Sequence, residues 1–217
     1  MRVVVLASGR GSNLEALIAA QRSGELPIRI VGVVSDKRKA RALQLARDNK
    51  IDAIHLDPKG FTDRASYDLS LFANVAELKP DLIVLAGFMR ILDPVAFAPW
   101  LGRIINIHPS LLPLYPGLHT HRRALEAGDS KHGASVHFVT AELDGGPVIA
   151  QTRIDVAGND TEETLAARML TREHALLKSC IELLANGRVS WSDGKVFFDG
   201  EPLAAPVHFE CEMHASG

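Results

Sequence analysis

Two cysteines in 217 residues, Cys180 and Cys211, are too few for a disulfide framework or a zinc ribbon. Cys180 falls in a helical apolar pattern and reads as a core residue. No apolar run approaches the roughly 20 residues that span a bilayer. The opening "MRVVVLASG" is too short for a signal-peptide core and runs straight into a glycine turn. The chain reads as cytoplasmic and reduced, with no membrane partner. Charge of one sign is also scarce: a net charge of -2 argues against nucleic acid as the main partner, because phosphate neutralisation wants a basic face. A small anionic substrate stays open, since one pocket can be positive on a mildly acidic protein. There is no internal repeat, low-complexity tract or composition break that marks a linker. What remains, 47% hydrophobic and 23% charged residues, is an ordinary globular composition with enough chain for a sizeable core.

Short β-rich runs alternate with helical patterns through the first half. Strands are expected at 2–7, 28–35, 53–56, 81–87 and 103–108, with helices over 12–23, 38–50, 63–79 and 94–100 between them. Near-continuous apolar strands in a βαβα rhythm predict a mostly parallel, twisted sheet with helices on both faces, a Rossmann-like three-layer α/β fold. Two further strands, 133–140 and 147–156, flank the turn-rich "AELDGG". A long helix follows, with Asp160 or Thr161 as N-cap, "DTEE" resembling a capping box, and an end at Gly187. "RVSWSDGKVFF" (188–198) reads as a C-terminal hairpin around Asp193-Gly194. The whole reads as one domain over 1–217: a nucleotide- and phosphate-binding half (1–100), a catalytic half (101–200) and a tail (201–217) without clear periodicity.

Three segments end a strand with unusual chemistry: 8–13, 87–92 and 106–109. In open α/β sheets ligands bind outside the carboxyl ends of strands, so one shared site is expected. "ASGRGSN" (7–13) joins strand to helix, where Gly9 and Gly11 allow a tight turn and Ser12 and Asn13 present free helix N–H groups to a phosphate. A dinucleotide fingerprint with Asp36 as the ribose acid fails at its third glycine, where Leu14 stands, so a monophosphate fits better. In "NIHPSLLP" (106–113) Asn106 and His108 share one face of a strand that could have stayed apolar. An amide and an imidazole there can hold a developing oxyanion. In "ELDGGP" (142–147) Asp144 sits before two glycines, and a carboxylate aimed at the imidazole would raise its pKa. His119-x-His121 has the wrong spacing for two metal ligands on one helix face, and there is no H-E-x-x-H motif or G-x-S-x-G elbow. No metal is expected.

Taken together, "ASGRGSNL" (7–14), "AGFMRIL" (86–92), "NIHPSLLPLYPGLHTHRRALEAG" (106–128), "GASVHFVTAELDGGPVIAQ" (133–151) and "REHALL" (172–177) resemble the folate-dependent formyltransferase family, in the family's order and over most of the chain. The resemblance implies transfer of a formyl group from 10-formyltetrahydrofolate, a co-substrate, to the amine of glycinamide ribonucleotide in purine synthesis. It makes Asn106, His108 and Asp144 catalytic and gives Gly11, Ser12 and Asn13 the ribonucleotide phosphate. Leu170, Thr171 and Arg172 would approach the same substrate, and Glu173 would bind its ribose hydroxyls. Arg64, Met89, Arg90, Ile91, Leu92 and Val139 would line the folate site, together with Asn106 and the loop Thr140, Ala141, Glu142, Leu143, Asp144. The sequence departs from the pattern at Leu114 and Leu170, where polar residues are expected. A hydrolase of the same family carries an N-terminal regulatory domain, and a tRNA-formylating relative carries a C-terminal barrel with basic surfaces. With the first strand starting at Arg2, only 188–217 following the long helix, and a negative net charge, both rivals are disfavoured. A homodimer is left undecided.

Overall fold

The computed structural model describes residues 1–209; Cys211 and the rest of the tail beyond 209 lie outside the described residues. In chain order the elements are β1 (Arg2–Leu6), α1 (Ser12–Ser23), β2 (Arg29–Ser35), α2 (Arg41–Asp48), β3 (Asp52–His55), α3 (Arg64–Glu77), β4 (Leu82–Leu85), α4 (Pro94–Phe97), β5 (Ile104–His108) and α5 (Thr120–Glu126). Then come β6 (Lys131–Phe138), β7 (Val148–Asp155), α6 (Glu162–Ala185), β8 (Val189–Ser192), β9 (Lys195–Phe198), β10 (Glu201–Pro202) and β11 (Val207–His208).

The main sheet has the order β11-β7-β6-β5-β4-β1-β2-β3. β1 to β5 are parallel, β6 and β7 continue the sheet antiparallel, and β11 joins its edge parallel to β7. The strand order therefore reverses between β1 and β4, the place where such sheets bind ligands. Parallel strands are covered on both sides, which is why β1 and β4 read as unbroken apolar runs. One face, with Val3, Val5, Val84, Ile105 and Ile107, packs under α1, α2 and α6. The other, with Val4, Leu6, Ile83, Leu85 and Ile104, packs under α3 and α4. The small sheet β10-β9-β8 turns at Asp193-Gly194, both with positive φ, as the expected two-residue hairpin requires.

Several boundaries differ from the sequence reading for physical reasons. α2 starts at Arg41 rather than 38: Lys37, Arg38 and Lys39 would crowd positive charge onto the positive end of the helix, and Ala40 supplies no side-chain cap. The expected helix 94–100 is α4 followed by a 3₁₀ turn, Ala98–Trp100, since Pro99 has no N–H to continue an α-helix. α5 lies in a stretch left unassigned above. α6 begins one residue later than the Asp160 alternative: Thr161 is the N-cap, and its capping box closes with Thr164 rather than with a glutamate.

Candidate active site

The alternation along β5 places Asn106 and His108 on the same face as Ile104, beyond the cover that α3 and α4 provide. The antiparallel register then sets His137 opposite Asn106 and Ser135 opposite His108. Two polar residues on each of two adjacent strands thus make one patch, while Ile105, Ile107, Val136 and Phe138 face the opposite core.

The loop leaving β6 folds back over this patch. It is closed by bonds from Val139 N–H to the Ile104 carbonyl (2.9 Å) and from Phe138 N–H to the Pro147 carbonyl (3.1 Å). Gly146 lies so close to the Phe138 carbonyl that a β-carbon would come within 1.8 Å of its oxygen. Only glycine permits that approach, and it brings Asp144, itself at φ 51°, down onto the patch. The Asp144 carboxylate accepts from Asn106 Nδ2 (3.3 Å) and Gly117 N–H (2.8 Å), and lies 3.5 Å from His108 Nδ1 and 3.6 Å from His137 Nε2. His137 Nδ1 faces the Phe138 carbonyl at 2.9 Å and so carries a proton; its Nε2 then accepts from Asn106 Nδ2 at 3.1 Å. That pair of contacts fixes which end of the Asn106 amide is NH₂.

His108 is buried, with Nε2 3.0 Å from the Tyr115 carbonyl. Burial lowers its pKa from the ordinary value, and the Tyr115 carbonyl and Asp144 pull it only partly back. The expectation that Asp144 raises this pKa holds for its own contribution and not for the net, because desolvation outweighs it. Burial alone would raise Asp144, but the adjacent His137 ring, the Gly117 N–H and the His108 ring hold it below the usual carboxylate value.

The glycine turn that joins β1 to α1 lies beside the switch point. Gly11 has φ 74° and sits against Ala42, where an added β-carbon would meet the α2 backbone at 3.0 Å. Asn13 is buried with Oδ1 unpartnered. On α6, Glu173 is buried beside Asn13, and desolvation pushes its pKa up to about 7 against a smaller lowering by Asn13. Leu170, one turn earlier, is half-buried, as is Arg172, while Thr171 is exposed. At about 100° per residue Thr171 projects roughly 200° from Glu173, so the two side chains do not converge.

β4 and β6 flank β5, so the loops that follow them border Asn106 on both sides. Met89 and Ile91 are exposed (65% and 56%), Leu92 is buried, and the Arg90 guanidinium lies 4.5 Å over the Tyr67 ring. Val139 and Thr140 are half-buried; Ala141, Glu142 and Leu143 are exposed, and Arg64 is exposed in the first turn of α3. Among the described residues no group of three or more His, Cys, Asp or Glu side chains is placed to hold a metal ion, and His121 Nδ1 instead meets His132 Nε2 at 2.9 Å.

The sequence matches the family described as Formyl transferase over residues 1–181. The chain belongs to the formyl transferase family. This formyl transferase is 47% identical over 203 residues to the phosphoribosylglycinamide formyltransferase of Escherichia coli (strain K12), with 94% of this chain and 96% of that one covered. A solved phosphoribosylglycinamide formyltransferase from Coxiella burnetii superposes with a TM-score of 0.92 at 42% identity, covering 97% of this chain and 99% of that one. The trifunctional purine biosynthetic protein adenosine-3 of Drosophila melanogaster is 43% identical over 188 residues, which are 86% of this chain and 14% of that longer protein. The sequence reading of this transferase missed His137, Tyr115 and Gly117, which surround the Asn106–His108–Asp144 cluster. His137 was findable: in "ASVHF" it alternates with Ser135 as His108 does with Asn106. The carbonyl of Tyr115 and the N–H of Gly117 act through the backbone and leave no side-chain signal.

Proposed function

We propose that this enzyme moves the formyl group of 10-formyltetrahydrofolate to the amine of glycinamide ribonucleotide, in the cytoplasm and as a single-domain catalyst in purine synthesis. Both substrates are small molecules; nucleic acid and membrane have no part. The observation that carries the reading is the Asn106–His108–Asp144 cluster beside a glycine loop with an open helix N-terminus, in a chain closely related to named phosphoribosylglycinamide formyltransferases.

The neutral substrate amine attacks the formyl carbon, and the C=O pair moves onto oxygen to give a tetrahedral intermediate. Asn106 Nδ2 and His108 donate to that oxyanion, which requires Asn106 Nδ2 to give up its bond to His137 Nε2 and His108 Nε2 to exchange the Tyr115 carbonyl for the substrate oxygen. Negative charge on that oxygen raises the His108 pKa against the burial that lowers it, so the imidazolium is favoured as the transition state forms. Collapse reforms the carbonyl and breaks the bond to the folate nitrogen, and a proton travels from the former amine to that nitrogen. Asp144 holds Asn106 and stabilises the His108 cation.

Gly11, Ser12 and Asn13 hold the phosphate; Glu173 takes the ribose hydroxyls, with Leu170 and Arg172 bordering them and Thr171 turned away. The folate lies between the segment 89–92 and the loop 139–144, with Arg64 at its outer end. A spectrophotometric assay with 10-formyltetrahydrofolate tests this. Deformylation that depends on glycinamide ribonucleotide is expected; deformylation without it would indicate transfer to water and overturn the assignment.

A further inference from the structure

The loops assigned to the two substrates touch each other through one side chain. Met89 N–H donates to Ser8 Oγ at 2.9 Å, and Ser8 N–H donates to the Gly87 carbonyl at 3.0 Å. Ser8 belongs to the turn that leads into Gly11, Ser12 and Asn13, whereas Met89 lies between Gly87, at φ 72°, and the buried Leu92. The far end of the same segment is fastened elsewhere: Asp93 N–H donates at 2.7 Å to Asp68, a fully buried carboxylate on α3. Ser8 is thus the side chain that ties the start of the 87–93 segment to the phosphate loop, and Asp68 ties its end to the helix layer.

A serine hydroxyl that accepts one hydrogen bond keeps a proton to donate. Among the described residues no group takes the proton of Ser8. Donation to an anion would polarise the O–H and make the same oxygen a stronger acceptor for Met89 N–H, since chained hydrogen bonds strengthen one another. From this geometry we infer that Ser8 is a positioning residue that couples the two substrate sites, so that ribonucleotide binding tightens folate binding. The inference rests on the formyl-transfer reading above. Coupling of this kind is reciprocal: each ligand changes the other's affinity by the same factor.

Titration calorimetry with tetrahydrofolate, in the presence and absence of saturating glycinamide ribonucleotide, tests it without turnover, because no formyl group is supplied. The ribonucleotide should tighten tetrahydrofolate binding about 5-fold or more in the native protein. Ser8→Ala should bring that ratio to within about 2-fold of one, and Ser8→Thr, which keeps the hydroxyl, should restore it. Ser8→Cys gives the same comparison with a weak acceptor if the alanine protein folds poorly. Asp68→Ala should weaken tetrahydrofolate binding in both conditions and leave the ratio intact, since its bond never reaches the phosphate loop. A native ratio of one, or a ratio unchanged in Ser8→Ala, overturns the coupling while the formyl-transfer reading stands. Failure of the native protein to bind either ligand overturns that reading and the coupling with it.

Discussion

Asp144 and Glu173 are both carboxylates with about nine-tenths of their surface removed from solvent, yet their acidities move in opposite directions. Burial pushes each one up. Around Asp144 it is answered by the Gly117 N–H and the Asn106 amide, with two imidazole rings alongside; around Glu173, among the described residues, Asn13 alone answers. A buried anion persists where donors replace its lost water and takes up a proton where they do not. Asp144 is therefore a standing charge beside the His108 ring. Glu173, its pKa pushed up to about 7, takes up a proton far more readily, and ribose hydroxyls donating to it would favour the anion.

The largest test breaks the donor-rich side. Asp144→Asn keeps the shape and removes the charge, while Asn106→Ala and His108→Ala each remove one oxyanion donor. Each should lower kcat by about 100- to 1,000-fold, as loss of an oxyanion-hole donor typically does. Steady-state rates at saturating substrates measure it. Near-normal turnover in Asn106→Ala and His108→Ala together would remove these residues from the mechanism.

Glu173→Gln tests the donor-poor side and should move stability the other way. The Glu173 pKa is raised from 4.5 to about 7 by folding. Between those values the folded state binds more protons than the unfolded one, so stability falls as pH rises and stays reduced above pH 7. The full window corresponds to on the order of 3 kcal/mol. Burial lowers the pKa values of His108, His121, His132 and His174, which raises stability with pH in both proteins up to about 6.5, so the Glu173 contribution is read as a difference. From pH 4 to 8 urea unfolding should show Glu173→Gln gaining on the native protein and becoming the more stable of the two at pH 8. The same variant should raise KM for the ribonucleotide about 10-fold, the usual opposition of stability and function at a buried site. Asp144→Asn carries the reverse sign. Its depressed native pKa contributes stability above an unfolded value near 3.8, lost as pH falls through the lower folded value, so the asparagine protein should be the less stable at neutral pH.

How much of this contrast the sequence carried depends on what makes each residue special. Strand alternation alone put Asn106 and His108 on one face, and "LDGG" marked Asp144 as a turn residue, because these signals are local. The β1–β5 sheet and the hairpin at Asp193-Gly194 were legible for the same reason. That Asp144 meets Asn106 is not local: it depends on the β5–β6 register and on Gly146 lying against the Phe138 carbonyl. The net direction of the His108 shift was equally hidden, since it depends on how much of the imidazole the 110–118 loop covers. Glu173 was linked to the ribonucleotide only through family resemblance, whereas Asn13 was read as a phosphate position from its place at the helix start; nothing in their spacing brings α1 to α6.

A finer test reads the electrostatics at His108 directly. Its pKa is lowered by burial and partly restored by Asp144. Its imidazole proton resonances should titrate below the ordinary histidine value in the native protein and lower still in Asp144→Asn. An upward move in that variant would mean that Asp144 is not the charge His108 feels.

The smallest expected effect separates helix stability from carboxylate chemistry. Thr161 caps α6, the helix that carries Glu173, through its reciprocal bonds with Thr164. Thr161→Ala removes a side-chain acceptor and one intact capping box, worth about 1 kcal/mol. The Thr161 hydroxyl also donates to the Glu163 carboxylate at 2.8 Å, but that carboxylate is held below its ordinary value of 4.5 and is ionised at both pH 5 and pH 8. Urea unfolding should therefore show the same loss at the two pH values, with kcat and KM within about 2-fold of native, since surface caps far from a site rarely exceed that. A loss that grew with pH would mean that the helix start and Glu173 are linked, and the Glu173→Gln slope could no longer be assigned to one buried carboxylate. A constant loss leaves the pH-dependent difference between the native protein and Glu173→Gln to Glu173, the carboxylate with few donors.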